Sequence, residues 1–461
     1  MLYHSTRGGD AGLPFQSTVL TGLARDGGLM LPDTIPDVSS RLGELAELDY
    51  PSLAFEIIRL FATDIPDEDL RKIIDKSYST FRHKEVTPVV EVGKLNILEL
   101  FHGPTLAFKD LALQFLGNLF EYVLEKQKAR LNIVAATSGD TGSAAIHGVR
   151  GRKNINIFVM HPHGRVSPVQ ALQMTSVLDA NVHNIAVDGT FDDCQAIVKA
   201  LFSDLDFRDK YHLGAVNSIN WARVMAQIVY YFYGAFRVMK RTGSDKVSFT
   251  VPTGNFGDVF AGYLAFRMGL PVKRLVVATN ENDILAKCFS TGLYKRGTVA
   301  TTLSPSMDIQ IASNFERYLY YYTGENAAEV RRLMDEFKAK GEITLTKDGA
   351  PIADPVFTAG RGDTEATLAA IRDTWKNHNY LLDPHTAVGV SVAKKIVADD
   401  PTPMICLSTA HPAKFCAAIE KATGEDIARH PLIDALKGAE TRFTRLPACA
   451  KTVGEFVAAN V

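Results

Sequence analysis

From about residue 94 onward, short β-branched runs alternate with amphipathic helical patterns, and this alternation constrains the fold more than any other feature. The strand candidates are Leu95–Leu98, Leu131–Ala136, Ile155–Met160, Val182–Val187, Val247–Val251, Leu275–Ala278 and Met404–Leu407. One intervening helix begins at Thr190, a cap with Asp193 three residues on, and carries Cys194, Ile197, Val198 and Leu201 on one face. Alternating strands and helices predict an α/β chain of open, mostly parallel sheets covered on both faces. In such sheets, ligands bind beyond the carboxyl ends of the strands, where each strand gives way to a helix.

The rest of the chain reads differently. Residues 1–90 predict a small, mostly helical unit with glycine-rich turns at Gly27-Gly28 and Leu31-Pro32-Asp33. Pro51 opens a helix carrying Phe55, Ile58, Leu60 and Phe61, and Pro66 opens another with Leu70, Ile73 and Ile74 on one face. Nothing chemical stands out there, so a cap or lid on the main body is expected. Residues 330–377 read as helical, Arg361-Gly362-Asp363 as a loop, and Ser408–Ala422 as a turn and helix. The expected division is 1–92, an N-terminal helical segment; 93–230 and 231–425, two α/β lobes; and 426–461, a tail.

Composition removes several functions from consideration. With 46% hydrophobic and 22% charged residues, the 461-residue chain can bury a large core. A formal net charge of −2 gives no support for binding nucleic acid or an anionic membrane. The five cysteines, Cys194, Cys288, Cys406, Cys416 and Cys449, are scattered and form no C-x-x-C pair, which predicts reduced thiols and no zinc or other metal site. The opening residues lack the apolar core of a signal peptide, and no apolar run approaches membrane-spanning length. A soluble cytoplasmic protein is expected.

Chemistry concentrates around Lys109, which sits between the Gly103-Pro104 turn and an apolar helix over roughly 111–124. A lysine at the mouth of a buried helix loses water, its pKa falls, and it becomes a nucleophile toward carbonyls. The bland alternative is a surface lysine paired with Asp110. Three strand-to-helix loops accompany it. Thr137-Ser138-Gly139-Asp140-Thr141-Gly142-Ser143 offers hydroxyls, glycines and a helix N-terminus to a carboxylate or phosphate. Thr253-Gly254-Asn255-Phe256-Gly257-Asp258 lacks the P-loop lysine and the G-x-G-x-x-G spacing, leaving a cup of backbone N–H groups suited to one phosphate. Leu407-Ser408-Thr409-Ala410-His411-Pro412-Ala413-Lys414 places two hydroxyls at the sheet edge, with helix capping as the alternative. An activated lysine, a single-phosphate cup and a carboxylate loop together point to pyridoxal 5'-phosphate acting on an amino acid.

The longer blocks around these loops carry a resemblance. Leu98–Asp110, Ala136–Gly142, Pro252–Gly257 and Ser408–Phe415 resemble, in order, segments of the threonine synthases. The opening Tyr3-x-Ser5-Thr6-Arg7-Gly8 and the block Pro305–Arg317 are similar too, so the resemblance runs nearly end to end. It implies a fold type II, tryptophan synthase β-like enzyme, with the cofactor between two lobes and Lys109 as its Schiff-base lysine. Gly254, Asn255, Phe256 and Gly257 would hold the cofactor phosphate. Thr409, rather than Ser408, would meet the pyridine nitrogen, and a neutral hydroxyl there leaves that nitrogen largely unprotonated. Ser138, Thr141 and Gly142 would receive the substrate carboxylate. Asp140 stands near the ring's phenolic oxygen, where many fold type II relatives have asparagine.

Asn217-Ser218-Ile219-Asn220-Trp221-Ala222-Arg223 resembles the segment that binds the substrate's own phosphate in this family. An arginine can grip phosphate bidentately while Asn217 and Ser218 add directed donors. The alternative is an ordinary helix start, with Asn220 capping and Arg223 solvated. The implied activity converts O-phospho-L-homoserine and water to L-threonine and phosphate. A relative that eliminates phosphate to give an α-keto acid and ammonia shares most of these residues. A non-catalytic binding protein would have no chemical reason to keep both Lys109 and the phosphate cup. The family resemblance also implies a monomer acting on a small amino-acid phosphate.

Overall fold

The β-branched runs form two separate sheets in the computed structural model, which describes residues 1–397 and 400–461. All seven expected runs are strands, most of them a residue or two longer than the sequence indicates. The larger sheet runs Phe357–Arg361, Val272–Thr279, Val247–Pro252, Met404–Ser408, Leu95–Glu99, Val89–Val92, parallel except for the last pair. The smaller runs Thr444–Pro447, Val182–Asp188, Ile155–Pro162, Leu131–Ala136, Leu213–Gly214, all parallel. Buried on both faces by helices, the inner strands read as nearly continuous apolar runs, which is why they were legible.

The sheets cut across the expected division of the chain. Leu95–Glu99 lies in the larger sheet, beside the strands of the 231–425 stretch, and not with its sequence neighbours at 131–188. Lys109 therefore sits on the crossover that leaves the larger sheet for the smaller. Val89–Val92 is a strand where a helical unit was expected, turned back on Leu95–Glu99 through Gly93 at φ +62°. Phe357–Arg361 interrupts the expected helical region, and Arg361 ends that strand before Asp363 caps the next helix. The presumed tail contributes Thr444–Pro447, an edge strand that tolerates its proline.

The N-terminal segment is packed against the main body. Tyr3–Ser5 pairs antiparallel with Met30–Pro32, and Thr6 Oγ1 donates to Glu316 Oε1 at 2.6 Å while Arg7 Nη2 pairs with Glu316 Oε2 at 2.7 Å. Tyr3 and Phe61 pack against Trp221 at ring separations of 5.9 and 5.7 Å. Each such fully buried ring contributes about 2–3 kcal/mol of transfer free energy, so this segment braces the start of helix Trp221–Thr242. Among the described residues, no helix is long and apolar enough to cross a membrane.

Candidate active site

The lysine loop is laced to the Thr409 loop by backbone. Phe108 N donates to Thr409 O (2.8 Å), His411 N to Leu106 O (3.0 Å), and Ala107 bridges Ala410. Gly103 is required here, because a Cβ would lie 2.5 Å from Asp110 Cβ. Asp110 accepts from both Thr105 N and Thr105 Oγ1 at 2.7 Å. It does not pair with Lys109, so the surface-pair alternative is overturned. Lys109 opens helix Lys109–Gln127 and is 8% exposed, with Nζ 3.7 Å from Asp140 Oδ2 and 3.5 Å from Ser306 Oγ. Burial lowers its pKa, Asp140 opposes the shift, and the charges of Lys414 and Arg223 reinforce it.

Asp140, at the head of helix Asp140–Val149, is held by a second buried lysine. Lys414 Nζ pairs with Oδ1 at 2.8 Å, and Gln170 Nε2 donates to the same oxygen at 2.8 Å. Burial alone would push this carboxyl up, but Lys414, Lys109 and His385 outweigh it and hold it well below the usual carboxylate range. The loop before it is folded around Thr137, whose Oγ1 accepts from Gly139 N (3.0 Å) and Gly142 N (2.9 Å). Gly142 thus shapes the loop through an amide already committed to Thr137. The hydroxyls of Ser138 and Thr141 engage no protein group among the described residues.

Across the cleft, strand Val247–Pro252 delivers the cup. The backbone N–H groups of Gly254, Asn255, Phe256 and Gly257 donate to no protein acceptor among the described residues, as a phosphate cradle at the head of helix Gly257–Arg267 requires. The Phe256 side chain faces away into an aromatic core with Phe289, Phe315, Tyr318 and Phe357. Its backbone is left-handed, at φ +64°. Gly254 admits Ser306 O, which would lie 2.7 Å from a Cβ there.

The two hydroxyls of the last loop part company. Ser408 Oγ lies 3.2 Å from Thr386 Oγ1, whereas the Thr409 hydroxyl has no protein partner among the described residues and is the one free to meet a ring nitrogen. At the fourth segment, the helix-start alternative holds only in part. Asn220 does cap the helix, accepting from Ala222 N at 3.0 Å. Arg223 is not solvated: it is 4% exposed, its Nε and Nη1 are buried without partners among the described residues, and burial pushes its pKa down to about 10. Asn217 Oδ1 accepts from Ile219 N (3.3 Å), and Ser218 O from Asn314 Nδ2 (3.1 Å), fixing the turn that leads to it. Arg317, fully buried, donates to Ile219 O at 2.7 Å and Met30 O at 3.1 Å.

Sequence reasoning did not single out Lys414, Gln170, Ser306 or His385. Lys414 alone carried a usable cue, a lysine flanked by Pro412-Ala413 and Phe415 with nothing nearby in sequence to solvate it. The others reach the site through tertiary contacts.

Buried Lys109, the unclaimed amides of residues 254–257 and the free Thr409 hydroxyl fit pyridoxal phosphate, and the fold and site define a fold type II enzyme of that cofactor. Residues 81–341 match the family described as pyridoxal-phosphate dependent enzyme. Residues 2–78 match the threonine synthase N terminus family, and residues 386–457 the threonine synthase C-terminal family. A threonine synthase of Pseudomonas aeruginosa is 48% identical over 466 residues, covering 99% of this chain and 98% of that one. One from Schizosaccharomyces pombe is 48% identical over 456 residues, covering 91% and 89%. The crystal structure of pyridoxal phosphate-bound threonine synthase from Brucella melitensis superposes with a TM-score of 0.95 at 46% identity, covering 100% of this chain and 99% of that one. The chain belongs to the threonine synthase family.

Proposed function

We propose that this chain converts O-phospho-L-homoserine and water to L-threonine and phosphate, as a monomer in the cytoplasm. The observation that carries the substrate is Arg223, a buried guanidinium with unpartnered Nε and Nη1, close enough for its charge to act on Lys109. A cation desolvated in this way is costly unless an anion meets it, and the substrate's γ-phosphate is that anion.

Pyridoxal phosphate, when bound, supplies the aldehyde for the substrate amine and an electron sink for the bonds broken beside it. Gly254, Asn255, Phe256 and Gly257 hold its phosphate through backbone amides, and Thr409 offers its ring nitrogen a neutral hydroxyl. Asp140, pinned by Lys414 and Gln170, stays ionised between the two lysines. Ser138 and Thr141 bind the substrate carboxylate on the loop that Gly142 shapes. Lys109, its proton affinity reduced by burial, takes the α-proton and then a β-proton, and returns one proton to the γ-carbon after phosphate leaves and one to the α-carbon. Arg223, with Asn217 and Ser218, stabilises charge as the C–O bond breaks and phosphate leaves, after which water adds at the β-carbon. The test is product analysis of the purified, cofactor-loaded protein on O-phosphohomoserine. Threonine and phosphate in equal amounts support the reading; an α-keto acid and ammonia instead would assign the elimination.

A further inference from the structure

Asp383 lies outside every motif of the sequence analysis, yet it is fully buried at the head of helix Pro384–Ile396. As a helix cap it accepts from His385 N (2.9 Å) and Thr386 N (3.3 Å). A cap needs nothing more. Here it also takes two side chains, one on each oxygen. His385 Nδ1 meets Oδ1 at 2.9 Å, and Thr386 Oγ1 donates to Oδ2.

Each side chain then reaches a different side of the active site. With its Nδ1 proton given to Asp383, the His385 ring has an acceptor at Nε2, and Ser306 N donates to it at 3.2 Å. Ser306 in turn places its Oγ 3.5 Å from Lys109 Nζ and its carbonyl against Gly254 of the phosphate cup. Thr386, with its one proton also given to Asp383, has two lone pairs left. They face Thr409 N and Ser408 Oγ, both at 3.2 Å. One tautomer and one hydroxyl orientation satisfy all of these bonds at once.

We infer that Asp383 is a positioning residue that sets both halves of the site, holding Ser306 at Lys109 through His385 and the Ser408–Thr409 loop through Thr386. The inference rests on the roles proposed above for Lys109 and Thr409. Because an unpaired buried carboxylate or a lost shared bond disturbs two separate groups, the arms should separate by mutation.

The experiment uses the full chain loaded with pyridoxal phosphate. His385→Leu breaks the lysine arm and His385→Gln, whose amide oxygen can replace Nε2, restores it. Thr386→Val breaks the ring arm and Thr386→Ser restores it. Expected for His385→Leu is a kcat about 10-fold lower with KM within about 2-fold, and a shifted pH midpoint of the substrate-free visible absorbance. Thr386→Val should lower kcat similarly, and its effect should overlap with that of Thr409→Ala, whereas His385→Leu and Thr409→Ala should multiply. Asp383→Asn should combine both losses; should it not fold, the four arm variants still decide the matter. Variants that merely melt earlier, with unshifted absorbance midpoints and unchanged kcat, would reduce Asp383 to a helix cap and overturn the inference. Because the absorbance titration needs no substrate, a failed substrate assignment would not be mistaken for a failed hub.

Discussion

Replacing Arg223 by methionine should make the protein more stable and the enzyme worse. Burial pushes the guanidinium well below its ordinary value, down to about 10, and its Nε and Nη1 have no partner among the described residues. At about 1.36 kcal/mol per pKa unit, the folded protein without substrate carries a desolvation cost of about 3 kcal/mol there. The sign follows from linkage: a base whose pKa is lower in the folded state opposes folding at every pH below about 10, so the cost is constant near neutrality. Methionine fills most of the same volume with no charge. Arg223→Met should therefore raise the urea-unfolding free energy at pH 7, measured without phosphate, by about 1–3 kcal/mol. The same change should cut kcat/KM on O-phosphohomoserine by roughly 30- to 1,000-fold, the loss of about 2–4 kcal/mol of charge-assisted binding, and should remove inhibition by inorganic phosphate. A variant that is destabilised, yet retains kcat/KM and phosphate inhibition, would show that Arg223 is a structural residue and refute the reasoning.

Lys109→Ala should abolish both the visible absorbance of the cofactor-loaded protein and its turnover; a fully coloured, borohydride-reducible variant would place the linkage elsewhere. Thr409→Ala should keep cofactor bound but slow kcat by roughly 5- to 30-fold, the worth of about 1–2 kcal/mol, while Ser408→Ala has a smaller effect; the reverse ranking in steady-state kinetics would exchange their roles. Asp258 gives a pH signature. Its Oδ1 accepts from Tyr230 and Tyr231, its Oδ2 has no partner, and burial raises its pKa to about 6. A raised carboxyl pKa contributes stability below about 4 that is lost as pH rises through about 6, here up to about 3 kcal/mol. The difference between the native protein and Asp258→Asn in urea titrations from pH 4 to 7 should show that slope, and a flat difference would contradict it.

The strands that carry the site were legible because each is buried on both faces and so reads as an unbroken β-branched run. Edge strands were not: Phe357–Arg361 and Thr444–Pro447 include glycine, arginine and proline, which an edge accommodates and a periodicity search discounts. In the candidate site, residues in strand-to-helix turns, such as Lys109, Gly254 and Thr409, could be singled out from their own motifs. Gln170 matters only because its helix, 30 residues on, brings it to Asp140, and a pattern of neighbours cannot show that. Arg223 illustrates the boundary. Its spacing was compatible with a solvated helix residue, and only the fold shows that the side chain is 4% exposed.

The order of strands has a consequence for how the chain is made. Met404–Ser408 sits between Val247–Pro252 and Leu95–Glu99 in the larger sheet, and Thr444–Pro447 completes the smaller. During synthesis, the strand that leads to Lys109 and the phosphate-cup strand emerge long before the one that joins them. Until residue 408 has left the ribosome, the larger sheet is two unconnected pieces with open edges. Such edges attract other chains, and loops this long close slowly. A nascent chain stalled ahead of the Thr409 loop would thus have Lys109 and the cup, but neither held in place, and would depend on chaperones to stay soluble. Truncations that remove the last 60 residues should behave the same way: aggregated, and unable to retain pyridoxal phosphate.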